Sequence, residues 1–379
     1  MIIGVPRESA SGETRVAFIP EIVGKWTKGG AEVHVQKGAG DAASFLDEAY
    51  TAVGARIVGK AEAFGADVVV KVQRPTVEEV AKLKTGGFYV SFVYPVQNLD
   101  VVKALVDRKT TCYAMDAVPR ISRAQTMDAL SSMATVAGYK AVLLAAVKQG
   151  KFFPMLTTAA GTIAPAKVLI LGAGVAGLFA IGTARRLGAV VEAYDVRPAV
   201  KEQVESLGAK FIDAGMSSAA EDKGGYAKEQ SAEDRKRAQE ILAKHIAGAD
   251  VIITTALVPG KQAPRLVTAD HVKSMKPGSV VVDLAAEQGG NCELTEPGQD
   301  VTRHGVLISG VLNLPATMPV HASQMYARNM HTLLAHLIKN NALNLDFNDE
   351  ITRDACITHQ GEVKHGPTRT ALGLVGAPG

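Results

Sequence analysis

Between Pro119 and Ser132 the chain reads PRISRAQTMDALSS, which sets Arg120, Arg123, Gln125 and Asp128 within ten residues. A guanidinium presents its N–H groups in a rigid fork that fits phosphate or carboxylate oxygens. A side-chain amide both donates and accepts, whereas a carboxylate only accepts. The set suits a polar ligand held by several directed hydrogen bonds; the alternative is a polar hinge between domains that touches no ligand. It leads into TMDALSSMATVAGYKAVLLAAVKQG, whose Ala, Leu and Met content predicts one long helix from about Thr126 to Gln149.

A second constellation, KVLILGAGVAGLFAIGTARRLGAVVEAYDVR, is more specific. A strand over Lys167–Leu171 runs into Gly172-x-Gly174-x-x-Gly177, then a helix, then a strand ending at Asp195, eighteen residues after Gly177. In a dinucleotide-binding turn the first glycine permits the tight bend and the second lets a pyrophosphate approach the backbone. The third lets helix and sheet pack closely. Val175, Ala176 and Gly177 open the helix, where free N–H groups and the positive dipole end face the phosphates. Asp195 can accept from a ribose 2′-hydroxyl and would repel a 2′-phosphate, which favours NAD over NADP. Arg197, just past Val196, pulls the other way, because an arginine there can receive a phosphate. The aspartate stands at the strand end itself and outweighs it. Two later loops would line the same crevice or are ordinary turns of an α/β protein: TTALVPGKQAP, with Thr255, Ala256 and Leu257, and AAEQGGN, Ala285 to Asn291.

Such residues need a scaffold, and the apolar runs supply one. IIGVP, EVHVQ, ADVVVKV, FYVSFV and TCYAM form a first set of expected strands; KVLILG, VVEAYD, ADVIITT, SVVVDL and GVLISG form a second. Continuous apolar strands alternating with amphipathic helices predict parallel sheets covered on both faces, wound by right-handed crossovers. The expected class is α/β, with two doubly wound, Rossmann-like domains joined by two long helices. The second of these helices, SQMYARNMHTLLAHLIKN, sets Met325, Asn329, Leu333 and Leu337 at helical spacing. The tail alternates at period two and turns at Gln360-Gly361, which predicts a C-terminal β-hairpin. The first domain is then discontinuous, 1–132 plus 320–379, and the dinucleotide-binding domain with its linking helix spans 133–319.

Other polar residues admit more than one reading. EDKGGYAKEQSAEDRKRAQE, Glu221 to Glu240, is either a solvated loop leading into an exposed helix or a lid hinged at Gly224-Gly225 and closed by Tyr226. Lys71 lies in an apolar run, where an unpaired ammonium is costly. It either meets a partner or ligand, or sits at the exposed end of its strand. Arg15, in GETRVAFIP, belongs to the same lobe. No histidine lies between His34 and His245, so the usual acid or base of an alcohol, amine or keto-acid dehydrogenase is missing from that span.

At 379 residues, 47% hydrophobic and 21% charged, the chain has enough apolar mass for two packed domains and is not of the disordered class. Its net charge of +3 is spread over scattered lysines and arginines, which gives no footprint for nucleic acid. Cys112, Cys292 and Cys356 are far apart and outside any CxxC, as in a reducing compartment without disulfides or a zinc site. MIIGVPRES reads as strand and turn rather than signal peptide, and no run of about eighteen apolar residues suggests a bilayer span. A soluble, cytoplasmic protein without a metal is expected.

GAGVAGL, TTALVPGK, MKPGSVVVDLAAEQGGNC and GVPRE…ETRVAFIP together resemble a known family through nearly the whole chain. It joins alanine dehydrogenases to the NAD(H)-binding component of proton-translocating nicotinamide nucleotide transhydrogenases. Three stretches resemble the transhydrogenase side: VPRISRAQTMDALSSMATVAGYKA its signature loop, GGYAKE its mobile loop, VSFVYPVQN its first-lobe strand. Alanine dehydrogenases carry a catalytic histidine in that last region, where this chain has Phe92 and its neighbours, and an aspartate where Glu287 stands.

The resemblance implies roles residue by residue. Arg120, Asp128 and Ser131 would position the nicotinamide and its ribose or phosphates; Gln125 would reach toward NADP(H) on a separate component; Tyr226 would belong to a lid. It implies Re/Si-specific hydride transfer between NADH and NADP+, a membrane-spanning component that moves protons, a homodimer, and a place on the cytoplasmic face of the inner membrane. Hydride passing between two nicotinamides needs no proton transfer at the reacting carbons, so the missing histidine is consistent; holding two rings at reacting distance does the work. Two rival readings stand beside it. One is a self-sufficient amino-acid dehydrogenase of the alanine type, which turns over alone; the other is a non-catalytic NAD-binding protein, which transfers nothing even with a partner.

Overall fold

The computed structural model describes residues 1–213, 232–258 and 262–374, with the backbone alone for 232–235. The chain divides into two compact units, Met1–Met133 with Ala316–Gly379 and Ala134–Pro315.

The first unit opens with six strands, β1 (Ile2–Val5), β2 (Glu32–Gln36), β3 (Arg56–Val58), β4 (Val68–Val70), β5 (Phe88–Ser91) and β6 (Thr111–Ala114). Between them run α1 (Pro20–Lys28), α2 (Asp47–Thr51), α3 (Lys60–Phe64), α4 (Val77–Val80) and α5 (Leu99–Asp107). All six strands pair in parallel. Every residue of β4, β5 and β6 is buried, as helices on both faces require.

After β6 a 3-10 turn, Ser122–Met127, precedes α6 (Ala129–Lys148). The helix starts later than its apolar pattern suggests because Asp128 caps it: its Oδ1 accepts from the Ser131 amide at 2.8 Å. By length and composition alone α6 resembles a membrane span, as a core helix of a packed domain also can. Ala141, Val142 and Ala145 of this helix lie within the core of the second unit.

A short antiparallel ribbon, β7 (Leu156–Thr158) and β8 (Gly161–Ile163), follows α6 and was not foreseen. Then come β9 (Lys167–Leu171), α7 (Val175–Arg186), β10 (Val190–Tyr194), α8 (Lys201–Ser206), β11 (Lys210–Phe211) and α9 (Ala232–Gly248). The unit continues with β12 (Val251–Thr254), α10 (Ala269–Ser274), β13 (Val280–Asp283), β14 (Asp300–Arg303) and β15 (Val306–Ser309). The sheet runs β11-β10-β9-β12-β13-β15-β14, parallel but for the edge strand β14. Alternation along β9 separates two cores: Val168 and Ile170 pack with α6 and α7, Leu169 and Leu171 with α9 and α10. The unit is doubly wound, with its strand order reversing between β9 and β12.

The chain returns to the first unit through α11 (Pro319–Leu337), β16 (Ile338–Lys339), β17 (Ala342–Leu343), α12 (Glu350–Asp354), β18 (Cys356–His359), β19 (Glu362–Val363) and α13 (Gly366–Ala371). The expected C-terminal hairpin is β18-β19, turning on Gln360 and Gly361 at φ 51 and 85. β18 pairs antiparallel with β6 and completes an eight-stranded sheet, β19-β18-β6-β5-β4-β1-β2-β3. Two Rossmann-like units, with the long helices α6 and α11 at the two ends of the second in sequence, match the expected class.

Candidate functional site

At the switch point of the second unit the three glycines face different surroundings. Gly172 has φ +102, and a methyl group there would stand 2.6 Å from Thr255 Oγ1. One on Gly177 would stand 1.9 Å from the Gly172 carbonyl oxygen. At Gly174 the nearest atom would be 3.9 Å away, so its surface is open to a bulky group. Gly174 is also the N-cap of α7 and offers no side-chain cap. The first-turn N–H groups of Val175, Ala176 and Gly177 are therefore left for another acceptor, which fits a pyrophosphate at a helix start. A glycine that sequence reasoning passed over supports this turn. A methyl on Gly138, in α6, would lie 2.0 Å from the Ala176 carbonyl oxygen, so α6 packs directly on the start of α7.

Asp195 stands at the end of β10, and its side chain is filled. Oδ1 accepts from the Arg197 amide and from Arg197 Nε, both at 2.9 Å. Oδ2 accepts from the Ala173 amide at 2.7 Å and from Arg197 Nη2 at 2.9 Å. The aspartate thus braces the glycine turn and holds the arginine that the sequence set against it; Val196, between them, packs on the core. A ribose diol can gain Asp195 only by displacing Arg197.

The loop after β12 is seated on the same turn: the Thr255 amide donates to the Leu171 carbonyl at 2.8 Å and Thr255 Oγ1 to the Gly172 carbonyl at 2.9 Å. Both backbone groups of Ala256 are taken by Asn291, whose Oδ1 accepts from the Ala256 amide at 3.0 Å while Nδ2 donates to its carbonyl at 2.9 Å. Ala256 can thus offer a ligand only its methyl group, whereas Leu257 is exposed. Asn291 comes from the loop after β13, which is held by buried Asp283 through Thr254, Thr295 and the amides of Ala285 and Cys292. The Gly289-Gly290 pair, both at positive φ, was the visible signal for this clamp. Glu287 accepts from the Asn313 amide at 2.9 Å. Tyr226 and its Gly224-Gly225 hinge lie outside the described residues.

In the first unit, the PRISRAQTMD segment presents Arg120 and Gln125 as exposed side chains. Asp128 and Ser131 are joined to each other, Ser131 Oγ donating to Asp128 Oδ2 at 2.6 Å. Arg123 is bound to Asp349 at 2.8 Å.

Lys71 is buried and partnered, at 2.7 Å from Glu79 Oε2 and 3.6 Å from Glu8 Oε2. Arg15 is buried against Glu13, its Nε and Nη2 donating at 2.8 and 2.6 Å. Burial pushes the Glu8 carboxyl up to about 7, against the opposing pull of Lys71 and the Val72 amide. Phe92 is buried between Tyr94 and Tyr326, with ring centroids 5.9 and 5.1 Å away. Among the described residues no cluster of His, Cys, Asp and Glu is arranged to hold a metal.

A parallel sheet whose switch point carries an open glycine turn, an uncapped helix start and a strand-end carboxylate defines an α/β protein of the dinucleotide-binding class. The chain belongs to the alanine dehydrogenase/PNT family: its N-terminal domain matches residues 4–137 and its C-terminal domain residues 141–366. It is 49% identical over 384 residues to an NAD(P) transhydrogenase subunit alpha polypeptide of Rhodospirillum rubrum, covering 98% of this chain and 100% of that one. Its fold is similar to that of a transhydrogenase from Sinorhizobium meliloti, with TM-score 0.85 and 43% identity over 97% of this chain and 99% of that one. An L-alanine dehydrogenase is similar at TM-score 0.82 and 26% identity, over 98% and 99%.

Proposed function

We propose that this chain is the NAD(H)-binding alpha subunit of an NAD(P) transhydrogenase of the Re/Si-specific, proton-translocating type. The observation that carries the reading is its end-to-end likeness, at 49% identity, to the Rhodospirillum rubrum subunit. Gly172, Gly174 and the first-turn amides of Val175, Ala176 and Gly177 receive the pyrophosphate of NAD(H). Asp195, once Arg197 is displaced, meets its adenosine ribose beside Val196, and Thr255, Ala256 and Leu257 line the crevice, with Tyr226 in a lid. Bound NADH supplies a hydride for NADP+ held on a partner component. Arg120, Asp128 and Ser131 orient the nicotinamide end, and Gln125 faces the partner.

The first unit weighs against an amino-acid dehydrogenase. Where alanine dehydrogenases carry a catalytic histidine it has Phe92, buried between Tyr94 and Tyr326. The partners are an NADP(H)-binding component and a membrane-spanning component that couples transfer to proton movement. They hold the chain on the cytoplasmic face of the inner membrane. A homodimer fits the ribbon β7-β8 and the segment before it: Phe152 and Met155 ahead of the ribbon and Ile163 in β8 are 52%, 64% and 40% exposed, and a lone two-stranded ribbon is marginal in water.

The test follows the reduced nicotinamide band of the purified chain with NADH, pyruvate and ammonium, then with the partner components and NADP+. We expect NADH binding without turnover in the first case and NADPH formation in the second. Turnover by the chain alone would overturn the proposal.

A further inference from the structure

The loop that carries Arg120 and Gln125 is fastened by residues far away in sequence. Its 3-10 turn, Ser122–Met127, lies against α11, where Asn329 Nδ2 donates to the Thr126 carbonyl at 2.8 Å. Arg123 Nη2 donates to Asp349 Oδ2 at 2.8 Å. Asp349 is itself fixed: its Oδ1 accepts from the Ile351 and Thr352 amides at 3.0 and 3.2 Å, capping α12, and lies 3.0 Å from His336 Nε2 of α11. Burial pushes the Asp349 carboxyl up, but Arg123, the Thr352 amide and His336 outweigh it and hold it at about 2. Gln125 is exposed between the two anchors, two residues after Arg123 and one before Thr126. The Arg123 side chain is 61% exposed, and an ion pair so exposed adds little stability while it restricts a long side chain to one geometry. Its effect is directional.

We propose that Asp349 is a positioning residue which, through Arg123, sets the direction in which the loop presents Gln125 for hydride transfer. The proposal rests on the transhydrogenase reading above. Asp349→Asn retains an acceptor for the α12 amides but loses the charge that holds Arg123, which separates the cap from the clamp. Arg123→Gln breaks the same pair from an exposed position without touching the cap.

Both variants and their combination are measured in the complete complex, with NADH affinity and thermal unfolding followed on the same preparations. Each single variant is expected to lower kcat about two- to fivefold, with the NADH Kd and Tm little changed, and the combination to be no slower than either. Losses that multiply in the combination, a loss seen only as weaker NADH binding, or unaffected transfer would each overturn the clamp while leaving the transhydrogenase reading intact. Failure of the unsubstituted complex to transfer hydride would overturn both.

Discussion

The guanidinium of Arg197 grips the carboxylate of Asp195 through two parallel bonds, Nε to Oδ1 and Nη2 to Oδ2, each 2.9 Å long. Together with the Ala173 and Arg197 amides this fills the acceptor positions of the residue that would read a ribose. Cofactor and arginine therefore compete for one carboxylate. Arg197→Met removes the competitor and also the cation that a 2′-phosphate would seek. NADH affinity should rise, by less than about tenfold, while NADPH affinity falls; fluorescence titration with both nucleotides reads the outcome. A large loss of NADH affinity would mean that Arg197 holds the cofactor itself.

Gln125 is exposed, and its neighbours are fixed by Arg123–Asp349 and Asn329–Thr126. Gln125→Asn withdraws the amide by one methylene from a loop that stays in place. Hydride transfer in the complete complex should slow roughly 10- to 100-fold with NADH affinity nearly intact. A matching loss of NADH affinity would put Gln125 in the NADH-binding set instead.

Gly138 allows α6 to lie on the carbonyl of Ala176. Gly138→Ala places a methyl 2.0 Å from that oxygen, and overpacking of this kind costs about 1–3 kcal/mol. The variant should unfold at lower temperature and bind NADH more weakly, because the displaced backbone opens α7. An unchanged Tm would show that the two helices separate without penalty.

Glu8 is buried beside Lys71, and burial raises its carboxyl to about 7 from an ordinary 4.5. A group with a raised pKa in the folded state stabilises that state fully below its unfolded pKa and loses the effect as pH climbs through the folded value. The loss between about pH 4.5 and 7 amounts to roughly 3 kcal/mol. Glu8→Gln should flatten this dependence. Denaturant unfolding at pH 5 and pH 8 decides it: an equal change in stability for the two proteins would mean that Glu8 titrates normally.

Much of this architecture was legible because its signals are local. The glycine turn, the strand ending at Asp195 and the Gln360-Gly361 hairpin each depend on residues close in sequence. The ribbon β7-β8 escaped because its strands are three residues long, LTT and GTI, with no alternation to read. β14 escaped because DVTR is a charged edge strand. The apolar pattern placed the start of α6 too early because periodicity cannot see a cap at Asp128.

Site contacts beyond the local pattern were out of reach. Lys71 fitted either of two readings until Glu79 and Glu8 were seen beside it. Asp349 is 226 residues from Arg123, and Asn291 is 35 from Ala256. Pairings at such separations depend on the fold as a whole, and no propensity or spacing reports them.

The division of the chain has a bearing on how it is born. Ala134–Pro315 is an unbroken stretch within the first unit, so during synthesis all its parts have emerged while the first unit still lacks its closing strands. β6 meets its neighbour only late: Thr358 Oγ1 donates to the Thr110 carbonyl across 248 residues. In a nascent chain that edge of the first sheet stands open, a template for any passing strand, until the ribosome has delivered β18. The guest is finished before its host, and a message cut short before Cys356 would release a protein with its dinucleotide fold whole and its other sheet unsealed.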